Sequence, residues 1–256
     1  MSSTIAAALP LKIQAERRER RFYLISSFVM IAGVAIGFHM FYLHGSNDDG
    51  GPVTRQSAPL VYIHGALMTC WMVHFLLQCG LVMKGNRRLH MRLGGAAVVL
   101  YVLIIPIGAI TALLQIHYAD QHSFPPFGPY RFLTLPLAEI TNFAVFIGGG
   151  FLLRRITAYH RPLMMIGTLS VAQAGIGRIS SIRNAFYYSS HAAFFPTFWG
   201  STVAVALLLW LIKLAMTRRP DRNLAIAIAL FVISGLLSSY VSTTTWWLQL
   251  AQLITR

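Results

Sequence analysis

Leu81-Val82-Met83-Lys84-Gly85-Asn86-Arg87-Arg88-Leu89-His90-Met91-Arg92-Leu93-Gly94 joins two long apolar runs, 59–83 and 94–117. The junction holds four cations and no acid. Each flank reaches the roughly 20 residues a helix needs to cross a bilayer. Basic turns of membrane hairpins stay on the cytoplasmic side, because translocating Lys and Arg is disfavoured. The segment therefore reads as the cytoplasmic turn of a transmembrane hairpin.

Working outward, five more apolar stretches follow the same rule: 22–43, 133–153, 162–182, 196–215 and 223–248. The N-terminal arm and the junctions at 84–93, 154–161 and 213–222 hold sixteen of the twenty-one Lys and Arg. The alternate faces hold only Arg55, Arg131, Arg178, Arg183 and Arg256. This asymmetry predicts a cytoplasmic N-terminus and, after seven crossings, an external C-terminus. The expected fold is all-α, a polytopic bundle of seven transmembrane helices. Residues 1–21 form a basic cytoplasmic arm, and 22–256 a single membrane domain. The arm, ending in Glu16-Arg17-Arg18-Glu19-Arg20-Arg21, is expected as a short helix at the lipid surface.

Composition agrees. The chain has 256 residues, 56% hydrophobic and 11% charged, outside the range of soluble domains. A net charge of +14 would suggest nucleic acid in a soluble protein. Here basic loops flank apolar helices, so the partner they imply is anionic lipid at the cytoplasmic face. No nucleic-acid partner is expected. The first apolar stretch is too long for a signal-peptide core and lacks an Ala-x-Ala site, so it reads as a retained helix. Cys70 and Cys79 fall on opposite faces of one helix and cannot pair with each other.

External loops are expected at 44–58, at Phe124-Pro125-Pro126-Phe127-Gly128-Pro129-Tyr130 and from Phe186 to Pro196, with aromatics suited to the interfacial belt. Two cytoplasmic junctions look alike: Leu89-His90-Met91-Arg92-Leu93-Gly94 and Tyr159-His160-Arg161-Pro162-Leu163-Met164. Each sets a histidine before an outward-running helix, which hints at a duplicated hairpin. Pro162 is expected in a helix's first turn. With His64-Gly65, Trp71 and Gln78, these turns make residues 20–185 resemble a family of uncharacterised bacterial seven-helix membrane proteins with paired His-x-Arg-Leu turns. At the second turn Pro162 replaces that family's usual arginine. The His-x-x-Leu-Met turn is also similar to one in membrane proteins of cytochrome oxidase maturation. The resemblance implies a multi-pass protein of the bacterial inner membrane.

Polar residues in hydrocarbon need a partner or a purpose. Glu139 is the one acid expected inside the membrane, and Arg178 lies at a similar depth on the next helix. They are expected either as an ion pair or as the floor of an outward polar cavity. Asn142 shares the face of Glu139, and Gln115 and His64 complete the cavity. His64, Trp71 and Gln78 recur every seven residues and fall within about 40° of one another. That stripe should face the bundle interior.

The histidines sort by depth. His39, His64 and His117 lie near the outer surface on three helices, while His90 and His160 lie at the cytoplasmic face. Imidazoles on facing helices can ligate haem b, and three together can hold a transition metal. The pairs His39 with His64 and His90 with His160 are therefore candidate haem ligands, and His39, His64 and His117 a candidate metal set. Each also has a plain structural reading, as an interhelical hydrogen bond or a cap at a helix entrance. His74 lacks a histidine at its level, and His44, His122 and His191 fall in loops. Three functions compete: a haem- or metal-linked redox protein, a transporter or small-ligand binder with an outward cavity, and an auxiliary subunit of a membrane complex. Gly148-Gly149-Gly150 and Gly175-Ile176-Gly177 suit close helix packing rather than nucleotide binding, since no strand precedes them.

Overall fold

The computed structural model describes residues 2–46, 53–118, 127–189 and 193–256. The His122 and His191 positions and parts of the three expected external loops lie outside these residues. In chain order the helices are α1 (Ser2–Gly37), α2 (His39–His44), α3 (Ala58–Met83), α4 (Arg87–Tyr118), α5 (Pro129–Phe132) and α6 (Thr134–Leu152). There follow α7 (Thr157–Ile176), α8 (Ser180–Ser189), α9 (Phe194–Phe198), α10 (Gly200–Thr217), α11 (Arg222–Val241) and α12 (Thr245–Ile254). No β-strand occurs among the described residues.

Among the described residues six spans are long and apolar enough to cross a membrane: Ile13–Gly37, Ala58–Met83, Arg87–Tyr118, Pro129–Leu152, Gly200–Thr217 and Arg222–Val241. Their outward faces stay apolar, as Leu103, Val145, Leu208 and Leu237 illustrate. That surface would be a liability in water and is what lipid requires. The stretch expected at 162–182 becomes α7, which is as long as α11 and lies outside the apolar six. Every residue of α7 from Met165 to Gln173 is buried. Enclosed by protein on all sides, this helix carries Thr168, Ser170 and Gln173 inward and needs no lipid-facing stripe.

Five helices close into a ring through successive contacts: α1 on α3, α3 on α4, α4 on α6, α6 on α7 and α7 back on α1. Outside the ring, α10 and α11 pack on α7. The α1–α7 seam depends on glycine. A Cβ on Gly37 would overlap the carbonyl of Gly175, and one on Gly175 would lie 2.7 Å from Val34 Cα. Gly33 and Gly37 form the Gly-xxx-Gly spacing that lets two helix backbones approach closely.

Several boundaries depart from expectation, each for a local reason. The arm at 1–21 is not a separate helix, since α1 runs through it without a break. The run at 22–43 is divided at Phe38, between α1 and α2. There the His39 ring takes the carbonyl of Ile36 at 2.8 Å, satisfying a helix-end acceptor. The run at 223–248 stops at Val241. Ser242, Thr243 and Thr244 each turn a hydroxyl back to a carbonyl three residues earlier, at 2.7 Å, and compete with the helical ladder. The chain resumes as α12, anchored by Trp247 Nε1 to the Tyr130 carbonyl at 2.9 Å.

Pro162 lies in the second turn of α7 rather than the first. It has no N–H for the carbonyl of Ala158 four residues back. Asn223 of α11 supplies one instead, its Nδ2 donating to that carbonyl at 3.2 Å.

Candidate functional site

The ring encloses a cavity of about 880 Å³, within the size range of small-molecule sites. Its walls come from the C-terminal half of α1 with α2, the N-terminal half of α3, the C-terminal half of α4, the N-terminal half of α6 and the C-terminal half of α7. All five belong to the end of the bundle remote from the basic turns. Helix direction orders the lining by depth. The innermost side chains, Met68, Met72 and Ile104, are all apolar. Above them come His64 and Glu139, and nearer the mouth Gln115, Arg178 and Arg183.

His64 reaches the cavity because α4 offers a glycine opposite it. A Cβ on Gly108 would meet His64 Cε1 at 3.3 Å and Ile140 Cδ1 at 3.2 Å. The His64 Nδ1 atom is buried with no hydrogen-bond partner, an arrangement that costs free energy until something bonds to it. Glu139 is buried, and the positive charge of Arg178 acts on its carboxyl. Arg178 also lies over the Phe38 ring, 4.5 Å from its centroid, and donates to the Ala174 carbonyl. The cation is thus held by the helix break on one side and by its own helix on the other.

Of the residues expected to form an outward cavity, His64, Gln115, Glu139 and Arg178 line it. Asn142 does not. It is buried within α6, with Nδ2 unpartnered. Trp71 is buried beside the cavity floor, giving its Nε1 proton to Thr168 Oγ1 at 3.3 Å and meeting the Phe143 ring edge-on at 4.8 Å. Gln78 lies 3.0 Å from His74 Nε2. His74 itself lines a shallow apolar groove between α3 and α4 rather than the interior.

The outer histidines do not converge. His39 is exposed and outside the cavity lining. His117 Nδ1 donates to the Thr255 carbonyl at 2.6 Å and ties α4 to the end of α12. Among the described residues no group of three or more His, Cys, Asp or Glu is arranged to hold a metal ion. At the basic end, His90 lies within electrostatic reach of His160 and His74, and its Nδ1 is buried without a partner. His160 Nδ1 donates to the Gly150 carbonyl at 2.8 Å, which leaves Nε2 with a lone pair. Burial pushes the His160 imidazole below its ordinary value, against a smaller opposing effect of that bond.

One polar centre was invisible from sequence. Lys213, expected in a cytoplasmic loop, is a helical residue of α10 that is 3% exposed. Its ammonium donates to Tyr23 OH at 2.9 Å, to Glu19 Oε1 at 3.2 Å and to Asp221 Oδ2. Arg161 meets the other Glu19 oxygen at 2.9 Å. Asp221 also caps α11 through the Leu224 N–H at 2.9 Å. Four helices, α1, α7, α10 and α11, therefore meet in one charge network. The only hint was a lysine inside an apolar run and an acid among arginines.

Compared with known proteins, the chain matches no family model, no curated protein and no solved structure.

Proposed function

We propose that this chain is an integral membrane protein that binds a small molecule in the cavity of its five-helix ring, as a transporter or a ligand-binding protein. The observation that carries the reading is the cavity itself, with the unpartnered His64 Nδ1, Glu139 and Arg178 on its walls. Intramembrane ionisable groups gathered around an internal space are characteristic of binding sites. In this reading α7 is the seventh span. The basic end faces the cytoplasm and the cavity opens outward across the bacterial inner membrane. The α3–α4 and α6–α7 hairpins, each turning at the basic end beside a histidine, would be a duplicated unit.

Cysteine accessibility tests this reading. In a background where Cys70 and Cys79 are serine, Gln115→Cys should react with a membrane-impermeant maleimide added outside intact cells. Labelling only after the inner face is exposed would reverse the orientation. No labelling from either side would remove the cavity.

A second reading, haem or another cofactor held by His90 and His160, has one supporting observation. The Gly150 carbonyl fixes the His160 tautomer with Nε2 available to a ligand. A haem would give the purified protein a Soret band that His160→Ala removes. A spectrum without such a band, unchanged by haem reconstitution, overturns this second reading. An auxiliary role in a larger membrane complex predicts partner subunits that co-purify.

A further inference from the structure

We propose that the floor of the ring cavity binds a soft monovalent metal ion of the Cu(I) type, held by methionine thioethers and one imidazole. The proposal rests on the cavity reading above and names a class of ligand for it.

Among the described residues the cavity lining contains two methionines and one histidine, Met68, Met72 and His64. All three lie on α3 at intervals of four residues. Successive members are displaced by about 40° around the helix and about 6 Å along it, so neighbours can meet at one point. By the same interval a helix presents two histidines to zinc. Met30 and Met165 are fully buried and lie outside the lining. Methionine in the cavity is thus confined to the face that carries His64.

The imidazole is uncommitted. His39, His74, His117 and His160 each engage a ring nitrogen in a hydrogen bond. His64 makes none among the described residues, and its ring borders the cavity beside Gly108.

This donor set decides the ion. Thioether sulfur and imidazole nitrogen suit Cu(I). Magnesium and calcium need several oxygens, and structural zinc closes a shell of four ligands, most of them thiolate or imidazole. Met68, Met72 and Ile104 offer no oxygen, so a hard ion at the floor would lose its water without replacement. A single positive charge is also cheaper to desolvate than a double one. The cations of the lining, Arg178 and Arg183, lie nearer the mouth, with Glu139 between them and the floor.

Spacing ranks the ligands. His64 and Met72 are about 12 Å apart along α3, too far for one ion to touch both. The ion sits between His64 and Met68 or between Met68 and Met72, and Met68 belongs to both positions.

The test measures Cu(I) affinity of the full-length protein in phosphatidylcholine nanodiscs, with Cys70 and Cys79 replaced by serine. Bicinchoninate competes for the metal, with ascorbate present and oxygen excluded. Met68→Leu keeps the side chain's volume and removes its sulfur, and should weaken binding at least about tenfold. Met72→Leu and His64→Ala each leave one pair intact and should weaken it less. Met91→Leu, at an exposed position outside the lining, should change nothing. A thermal melt checks the folding of each variant. The copper K-edge spectrum of the protein with both methionines in place needs no variant at the site and should show sulfur neighbours.

Affinity indifferent to Met68→Leu, an equal loss in Met91→Leu, or a spectrum without sulfur overturns the site. Displacement of Cu(I) by an equal concentration of zinc overturns the assignment to a soft ion. Any of these with Gln115→Cys still labelled from outside leaves the cavity reading standing. Loss of that labelling from both sides removes the cavity and the metal site together.

Discussion

Lys213 and Glu19 meet at 3.2 Å although 194 positions separate them in the chain. The contact joins the first helix to the end of α10, and Asp221, Tyr23 and Arg161 complete it. Removing one partner of a buried ion network leaves the others uncompensated, at a cost of about 3–5 kcal/mol. Lys213→Ala should therefore lower the melting temperature in detergent sharply. Tyr23→Phe should cost only about 1 kcal/mol, the worth of one hydrogen bond. Equal effects from the two variants would mean that the network does not act through its charge.

The Ala158 carbonyl depends on Asn223 because Pro162 cannot serve it. Asn223→Ala should destabilise by about 0.5–1.5 kcal/mol, the net worth of one hydrogen bond, since water can reach the freed carbonyl. Replacing Pro162 by Ala restores a backbone N–H, so the double variant should lose much less than the two single changes imply. Strict additivity in that cycle would refute the link.

Gly37 and Gly175 make a backbone contact that no side chain fits. Gly37→Ala should destabilise by about 1–3 kcal/mol or more. Gly80→Ala is the control, since nothing lies within 4 Å of its added Cβ. Both can be read from temperature-dependent aggregation of the detergent-solubilised protein.

His160 precedes the apolar stretch that starts at Pro162, and burial lowers its imidazole relative to the unfolded chain. The unfolded state thus binds its proton first as the pH falls. The stability His160 contributes is complete above the unfolded value of about 6.5, and it declines as the pH falls below that value toward the lower folded one. Melts between pH 7.5 and 5.5 should show this decline. It should be smaller in His160→Gln, which keeps an amide donor near the Gly150 carbonyl.

Glu139→Gln replaces the carboxyl that lines the cavity near Arg178 and keeps the side chain's shape. If the pair belongs to a binding site, the variant should accumulate in the membrane and change ligand affinity. Failure to accumulate would make the pair a structural element instead.

Much of this architecture could be read in advance from the places where charge interrupts apolar sequence. The turn falls within the basic junction, at Lys84–Asn86 with α4 already begun at Arg87, and the apolar spans on either side of it are long helices. Depth counted along those helices also put His64, Gln115, Glu139 and Arg178 near one another, because antiparallel helices keep equal depths together. Rotation was harder. A stripe repeating every seven residues put Gln78 on the face of His64, but Gln78 turns to His74 beside an outer groove. Helix ends were harder still. The break at Phe38 and the one at Ser242–Thr244 lie inside uninterrupted hydrophobic sequence and are set by local side-chain bonds to carbonyls. The Lys213 network needed knowledge of which helix lies beside which, and hydropathy carries none.

The seam between α1 and α7 bears on how anything could leave the cavity. Backbones in direct contact at Gly37 and Gly175 cannot slide without collision, so these two helices form a single rigid post. The opposite wall, α3 with α4, is joined to that post through side chains instead, Trp71 Nε1 to Thr168 Oγ1 at 3.3 Å and Arg20 to the Val82 carbonyl at 3.4 Å, so any widening of the cavity has to come from contacts of that kind and not from the glycine seam.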